Sequence, residues 1–462
     1  MSDKILTEKK RDTYKIDMCR GPLFKQIVVF SIPLMLSGLL QLLFNAVDLM
    51  VVGRFASHQA LAAVGATNSL TYMIINIFVG LSVGTNVLVA RYIGEQNRKG
   101  VSRTTHTAIL TSLIGGIILA LIGIFCSKTM LRWLETPEDI LDMSALYMKI
   151  YFAGMPVIML YNFGSAILRA AGDTRRPFYF LVIGGILNVF LNLIFVLCLG
   201  WDVGGVATAT VISQALSAGL VLYVLMKLRD SCRVKWQGLH IEWRSLREMM
   251  WIGIPTGFQS SCFSLANLLI QYYINSFGSK AVAGTTAAVS WEIIFFMVAA
   301  AIGQTTISFI GQNSGGKQYL RIHKTVRYCS LLTVSATIFL SVLLFLFARP
   351  MLELFNSDPE VIEWGILRFK ICVPVLFICA LQETFIGALR GFGYSIMPTV
   401  IMLFGICVLR MIWIFTIFRA VPTMQNLLLT YPVSWMFTML ASGIYLFFVL
   451  RKYPKENTFP DF

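Results

Sequence analysis

"QLLFNAVDLMVVG", Gln41 to Gly53, is apolar except at Gln41, Asn45 and Asp48, which fall four and three residues apart. At about 100° per residue those three share one helix face. The stretch closes a run from Ile27 to Val52, and about 20 apolar residues suffice for a helix to cross a hydrocarbon layer. Comparable runs recur near 61–90, 106–127, 145–168, 178–200, 205–226, 249–276, 283–310, 325–348, 365–389, 396–418 and 427–450, so the sequence predicts twelve transmembrane helices. They account for a chain that is 57% hydrophobic with a mean hydropathy of +0.73. The fold class is all-α polytopic membrane protein, with the lipid bilayer as its solvent.

The charge pattern orients it. A net charge of +15 raises the question of nucleic acid, but the Lys and Arg residues alternate by loop, which is a membrane signature. Twenty-eight of the 38 lie in the N-terminal tail, the even-numbered loops, the middle linker and the C-terminal tail. Six lie on the other side (Arg54, Lys128, Arg132, Lys280, Arg349, Arg419), and Lys149, Arg368, Lys370 and Arg410 fall within or beside helices. Both termini are expected in the cytoplasm of a cell whose plasma or inner membrane holds the protein. The charged N-terminus shows no short apolar core followed by a small-residue cleavage site, so no cleaved signal is expected. Nine cysteines without a CxxC pair suggest neither a disulfide framework nor a zinc site.

The chain contains itself twice. "FSIPLMLS" at Pro33 recurs as "IGIPTGFQ" at Pro255, and "WLETPEDI" at Pro137 recurs as "FNSDPEVI" at Pro359, both displaced by 222 residues. "AILRAAGDTRRP" recurs as "GALRGFGYSIMP", which sets Pro177 on Pro398 at a displacement of 221. Six spans per copy is an even number, so the copies enter the membrane in the same sense and are parallel repeats. The expected organisation is an N-terminal tail at 1–24, a six-helix bundle at 25–227, a linker at 228–247, a second bundle at 248–450 and a tail at 451–462.

Polar groups within the spans are few enough to weigh singly. A charge near the bilayer centre costs about 2.5–3.5 kcal/mol on insertion scales. Asp48 therefore either serves as a cation or proton site or, lying five residues before Gly53, reaches the interface or bonds a neighbouring helix. Asn188 and Asn192 share a face of the fifth span, either completing such a site or gluing helices together. The second copy carries a stripe of Ser260, Ser264, Asn267 and Gln271, with Glu292, Glu383 and Arg410 deep in later spans. An ion pair of Arg410 with Glu383 or Glu292 is the structural alternative for those residues. The histidines form no ligand cluster, and "GGKQ" at Gly315 lacks the spacing and the hydroxyl of a phosphate-binding loop, which excludes ATP hydrolysis.

Taken together, "GPLFKQIVVFSIPLMLSGLLQLLFNAVDLMVVGRF", "GLSVGTNVLVARYIG", "ETPEDI", "ILRAAGDTRRP", "FIGQNSGG" and "ALRGFGYSIMP" resemble the multidrug and toxic compound extrusion family of antiporters, especially its DinF-like branch. The resemblance implies a V-shaped pair of bundles that exports organic, often cationic compounds in exchange for protons or sodium ions. It places the coupling-cation site at Asp48 with Asn45, Asn188 and Asn192. It leaves Gln41, Asn267, Gln271, Glu292, Glu383 and Arg410 as cavity or second-bundle polar residues. No cofactor beyond the coupling cation is implied, the partners are small organic substrates and not nucleic acid, and one copy of the chain suffices. The competing reading is a flippase for lipid-linked sugars, which calls for several arginines lining the cavity. An intramembrane enzyme needs a Ser–His, paired-Asp or metal constellation, and none is visible.

Topology is testable from the charge partition alone. Cysteines introduced near Asp202 and Ala420 are expected to react with impermeant reagents outside intact cells, and one near Gln237 only after lysis. The reverse pattern overturns the orientation.

Overall fold

The computed structural model describes residues 14–55 and 58–454. Among them the chain is nearly all helical and contains no β-strand. The first six spans are α1 (Leu23–Phe55), α2 (His58–Gly94), α3 (Arg98–Trp133), α4 (the pair Glu138–Ala153 and Met155–Ala170), α5 (Arg175–Cys198) and α6 (Asp202–Lys227). The second six are α7 (Trp243–Asn275), α8 (Ser279–Gly315), α9 (Tyr319–Leu346), α10 (Pro359–Gly391), α11 (Ile396–Phe418) and α12 (Met424–Leu450). The α4 pair bends by 46° where Gly154 and Pro156 meet, because proline cannot donate to the preceding turn.

Ten of these helices are apolar and long enough to cross a membrane on their own, and α4 makes eleven. The twelfth, α7, is as long as its repeat partner α1, at 33 residues, but is too polar to qualify. Ser260, Ser261 and Ser264 lower its hydropathy, and each returns its hydroxyl to a carbonyl one turn back, at 3.2–3.3 Å. Such a helix crosses a bilayer with its polar atoms satisfied internally.

Each half has its own core. In the first it gathers around Phe152, Met155, Phe163 and Ile167, and in the second around Phe369, Leu376, Leu427 and Trp435. The halves meet toward the end of the molecule that carries the linker. There Gly80 of α2 lies against Gly257 of α7 so closely that a Cβ on Gly80 would stand 2.3 Å from the Gly257 nitrogen. Small residues of this kind are what let helix backbones approach inside a membrane. Val83, Val87, Ile252 and Ile307 fill the seam, while Ser31 bonds Thr305 at 2.9 Å and Ser308 donates to Asn86 at 3.1 Å.

The segment just before α1 crosses this same end. Ile16 donates to the Gly172 carbonyl at 3.0 Å, and Lys15 pairs with Asp230 of the linker. Asn313 and Arg321 of the second half donate to the Met18 carbonyl, each at 3.1 Å. Met18 itself is fully buried between α1, α8 and α9. The linker is pinned in turn to α3, where Nε2 of His106 accepts from the Lys235 amide at 3.0 Å, so that this histidine is structural.

The glycine contact is the point to disturb. Gly80→Val overpacks it, which costs roughly 1–3 kcal/mol, and should cut disulfide cross-linking between cysteines placed at Val87 and Ile307 by about fivefold or more. Unchanged cross-linking would show that the halves do not meet through this contact.

Candidate functional site

Two glycines place α5 against its neighbours. A Cβ on Gly184 would stand 2.2 Å from the Ser217 hydroxyl of α6, and one on Gly185 would stand 1.8 Å from the Phe44 ring of α1. Phe44 and Asp48 are one turn apart on α1, and Gly185, Asn188 and Asn192 lie on one face of α5. The ring seated on Gly185 therefore brings Asp48 opposite Asn192.

At that point Nδ2 of Asn192 donates to Oδ1 of Asp48 and also faces Oδ1 of Asn188 at 3.3 Å. Asn188 donates to the Thr210 hydroxyl of α6 at 3.3 Å, and Thr210 donates to the Val206 carbonyl at 3.0 Å. A polar chain thus runs from α1 through α5 to α6. Asn188 and Asn192 are buried, at 5% and 0% exposure, and Asp48 is partly buried. Beyond Asp48 the helix is closed off by Val51 and Val52, packed against Ala60, Val64, Val196 and Val206. The carboxylate bonds a neighbouring helix rather than reaching past a helix end.

The acceptors here outnumber the donors. A carboxylate offers about four lone-pair sites, and among the described residues the one side-chain donor that meets it is Asn192, whose own Oδ1 is buried without a partner. Carboxylate and amide oxygens in this excess suit a proton on Asp48 or a small hard cation between the two side chains. Asn45 and Gln41 continue the α1 face away from this point, and both are exposed.

The second half is arranged otherwise than the sequence suggests. Glu292 of α8 does not meet Arg410. It forms a two-pronged ion pair with Arg368 of α10, at 2.9 and 2.8 Å, and both side chains are almost fully buried. Arg410 instead donates to Ser434 at 3.0 Å and to Oδ1 of Asn267 at 3.1 Å. The guanidinium groups of Arg368 and Arg410 both lie over the Tyr431 ring, 4.9 and 4.5 Å from its centre. Glu383 is partly buried and makes no ion pair among the described residues. Gln271 bonds Asn275 on its own helix at 2.9 Å and so belongs to neither cluster.

Thr210 and Arg368 are the residues that sequence reasoning missed. A threonine bonded to its own helix looks like any other, and Arg368 stands beside Lys370 one turn inside a span, where it reads as an edge residue.

With this geometry in hand, the chain belongs to the MatE family, whose model matches residues 33–194 and again 255–416. Position 255 lies 222 after 33, as 416 does after 194. The chain is 28% identical over 394 residues to a probable multidrug resistance protein NorM of Thermotoga maritima, covering 84% of each. It is 27% identical over 434 residues to the probable multidrug resistance protein YpnP of Bacillus subtilis, covering 93% of this chain and 96% of the relative. Its fold matches a crystal structure of MATE in the straight conformation with a TM-score of 0.89 at 21% identity, over 95% of this chain and 98% of that one.

The ion pair gives a prediction about stability. Removing one partner of a buried pair typically costs about 3–5 kcal/mol, whereas replacing both by apolar groups is often neutral. Glu292→Gln should therefore lower the thermal midpoint of the purified protein markedly, Glu383→Gln should leave it nearly unchanged, and Glu292→Leu with Arg368→Met should recover most of the loss.

Proposed function

We propose that the protein exports small organic compounds, cations among them, in exchange for protons or sodium ions, and that Asp48 and Asn192 hold the coupling cation. The observation that carries this reading is the excess of buried acceptors at Asp48. Among the described residues one side-chain donor meets the carboxylate, and the Asn192 oxygen beside it has none. The names of the relatives, which speak of multidrug resistance, support the class of cargo.

The Lys and Arg distribution supports a cytoplasmic linker, with both termini on that side of the cell membrane. The glycine seam then closes the cytoplasmic mouth, and Asp48 lies on the part of α1 nearer the outside. A cation entering from there neutralises Asp48 and loosens its hold on Asn192. An organic substrate binds better to the opposite opening. Exchange follows because each ligand shifts the equilibrium only by its difference in affinity between the two openings. A monomer suffices, since both halves come from one chain. A lipid-linked sugar flippase draws less support, because Arg368, one of three buried arginines of the second half, is neutralised by Glu292.

Asp48→Asn keeps the size and the hydrogen bonding and fixes the charge at zero. Reconstituted in vesicles with pH and sodium gradients imposed separately, this variant is expected to be folded and monomeric, with gradient-driven export at the level of empty vesicles. Whichever gradient drives the parent protein identifies the cation. Normal export by Asp48→Asn under that gradient overturns the assignment.

A further inference from the structure

Arg410 has no counter-ion. It is 1% exposed, yet among the described residues no carboxylate reaches it, because Glu292 is spent on Arg368 and Glu383 forms no ion pair. The groups it bonds or covers are neutral, Asn267, Ser434 and the face of Tyr431, a ring that the Arg368 guanidinium also covers. Its Nη2 is buried with no partner, and so is the indole Nε1 of Trp435, the residue that follows Ser434 on α12. A buried charge without its opposite is among the costlier arrangements a protein interior can hold, and the Trp435 ring packs 5.6 Å, centre to centre, from the same Tyr431 ring that the guanidinium covers.

The repeat shows that this place corresponds to the candidate cation site. Asn188 and Arg410 are 222 residues apart, as are Asn45 and Asn267. On α5, Asn188 and Asn192 reach α1 and α6, whereas on α11 Arg410 reaches α7 and α12. The register is adjusted locally. Pro177 and Pro398 are only 221 apart, and between Pro398 and Arg410 the helix widens into a π turn over Leu403–Val408, which takes up one extra residue. That residue turns Arg410 inward, to 1% exposure, in place of the less buried Leu409. A second π turn follows at Ile414–Phe418, so Arg410 sits between two segments that can shift without breaking the helix. One turn away on the α7–α11 seam, a gap of about 10 Å³ remains between Gln259, Cys262 and Cys407.

We infer that Arg410 and Trp435 form an anion-binding site inside the second half, opposite in polarity to the Asp48 site of the first. Its ligand is a carboxylate or similar singly charged anionic group, received by the guanidinium Nη2 and the indole N–H. Such a group comes either from an organic molecule the protein carries or from a free inorganic anion. Only the first source rests on the transport reading, and binding itself does not depend on it.

The test is titration of the purified wild-type protein, by calorimetry and by intrinsic tryptophan fluorescence, with sodium benzoate and with sodium chloride against a gluconate background. Saturable binding of benzoate alone identifies an organic carboxylate site, and saturable binding of chloride identifies an inorganic one. In either case Arg410→Gln should weaken the affinity at least tenfold, and Trp435→Phe, which keeps the ring and removes the N–H, severalfold. Arg410→Lys, which keeps the charge, covers the case in which the glutamine variant does not fold, and should be weaker than wild type but still saturable. The inference is overturned if the wild type binds neither anion, or if the folded Arg410 and Trp435 variants titrate like the wild type.

Discussion

The hydrocarbon interior supplies no water, so each polar side chain within a span must be satisfied by the protein itself. Short hydroxyl side chains do this on their own helix. Ser31 bonds the Ile27 carbonyl at 2.8 Å, and Thr305 bonds that of Ala301 at 2.9 Å. Some amides do the same, as Asn162 does with Ile158 at 2.9 Å. A carboxylate cannot, because it has no hydrogen to give when charged, and a guanidinium has more donors than one carbonyl accepts. The groups left over after local satisfaction must find partners on other helices. Among the described residues these include Asp48 with Asn192, Glu292 with Arg368, Arg410 with Asn267, and Arg390 with Gln259.

That division explains what could be read from the sequence. The spans and the duplication were legible because apolar length and a repeated offset are properties of the chain alone. The meeting of Asp48 with Asn192 was legible in outline: spacing put each on a polar helix face, and the family resemblance set those faces together. The partner of Glu292 was not, because Arg368 lies 76 residues away and nothing in the local pattern of α10 aims it at α8. Pairing Arg410 with an acid followed the sign of the charges, whereas the structure meets it with an amide, a hydroxyl and a ring and leaves its Nη2 without a partner. The polar character of α7 was visible, but its twelve-helix place rests on the repeat with α1, since hydropathy alone falls short.

Duplication has kept the frame and changed the chemistry. In both halves the fifth helix offers polar groups to the first and the sixth, and in both a π turn interrupts that fifth helix, at Ile194–Cys198 and at Leu403–Val408 and Ile414–Phe418. The first half holds a carboxylate there and the second a guanidinium. The opposite signs lie in separate bundles, so neither neutralises the other at contact distance, and each remains able to meet a ligand of its own.

The seam between the halves differs in kind from the cores within them. Each core joins some twenty or more buried side chains, whereas the seam joins two smaller apolar groups, Val83 and Val87 with Ile252 and Ile307, and Met18, Leu23, Ile27 and Phe30 with Val298, Ile302, Phe309 and Cys329, beside close glycine contacts and a few hydroxyl and amide bonds. Inside a membrane lipid is as apolar as the side chains, so helices associate through close packing of small residues and interhelical hydrogen bonds rather than through a hydrophobic drive. The seam is smaller than either core, so parting it costs less than unpacking a bundle, and the bundles can move as units. A tenfold difference in the affinity of a ligand for two openings is worth about 1.4 kcal/mol. A seam as extensive as either core would hold the molecule in one state whatever ligand was bound.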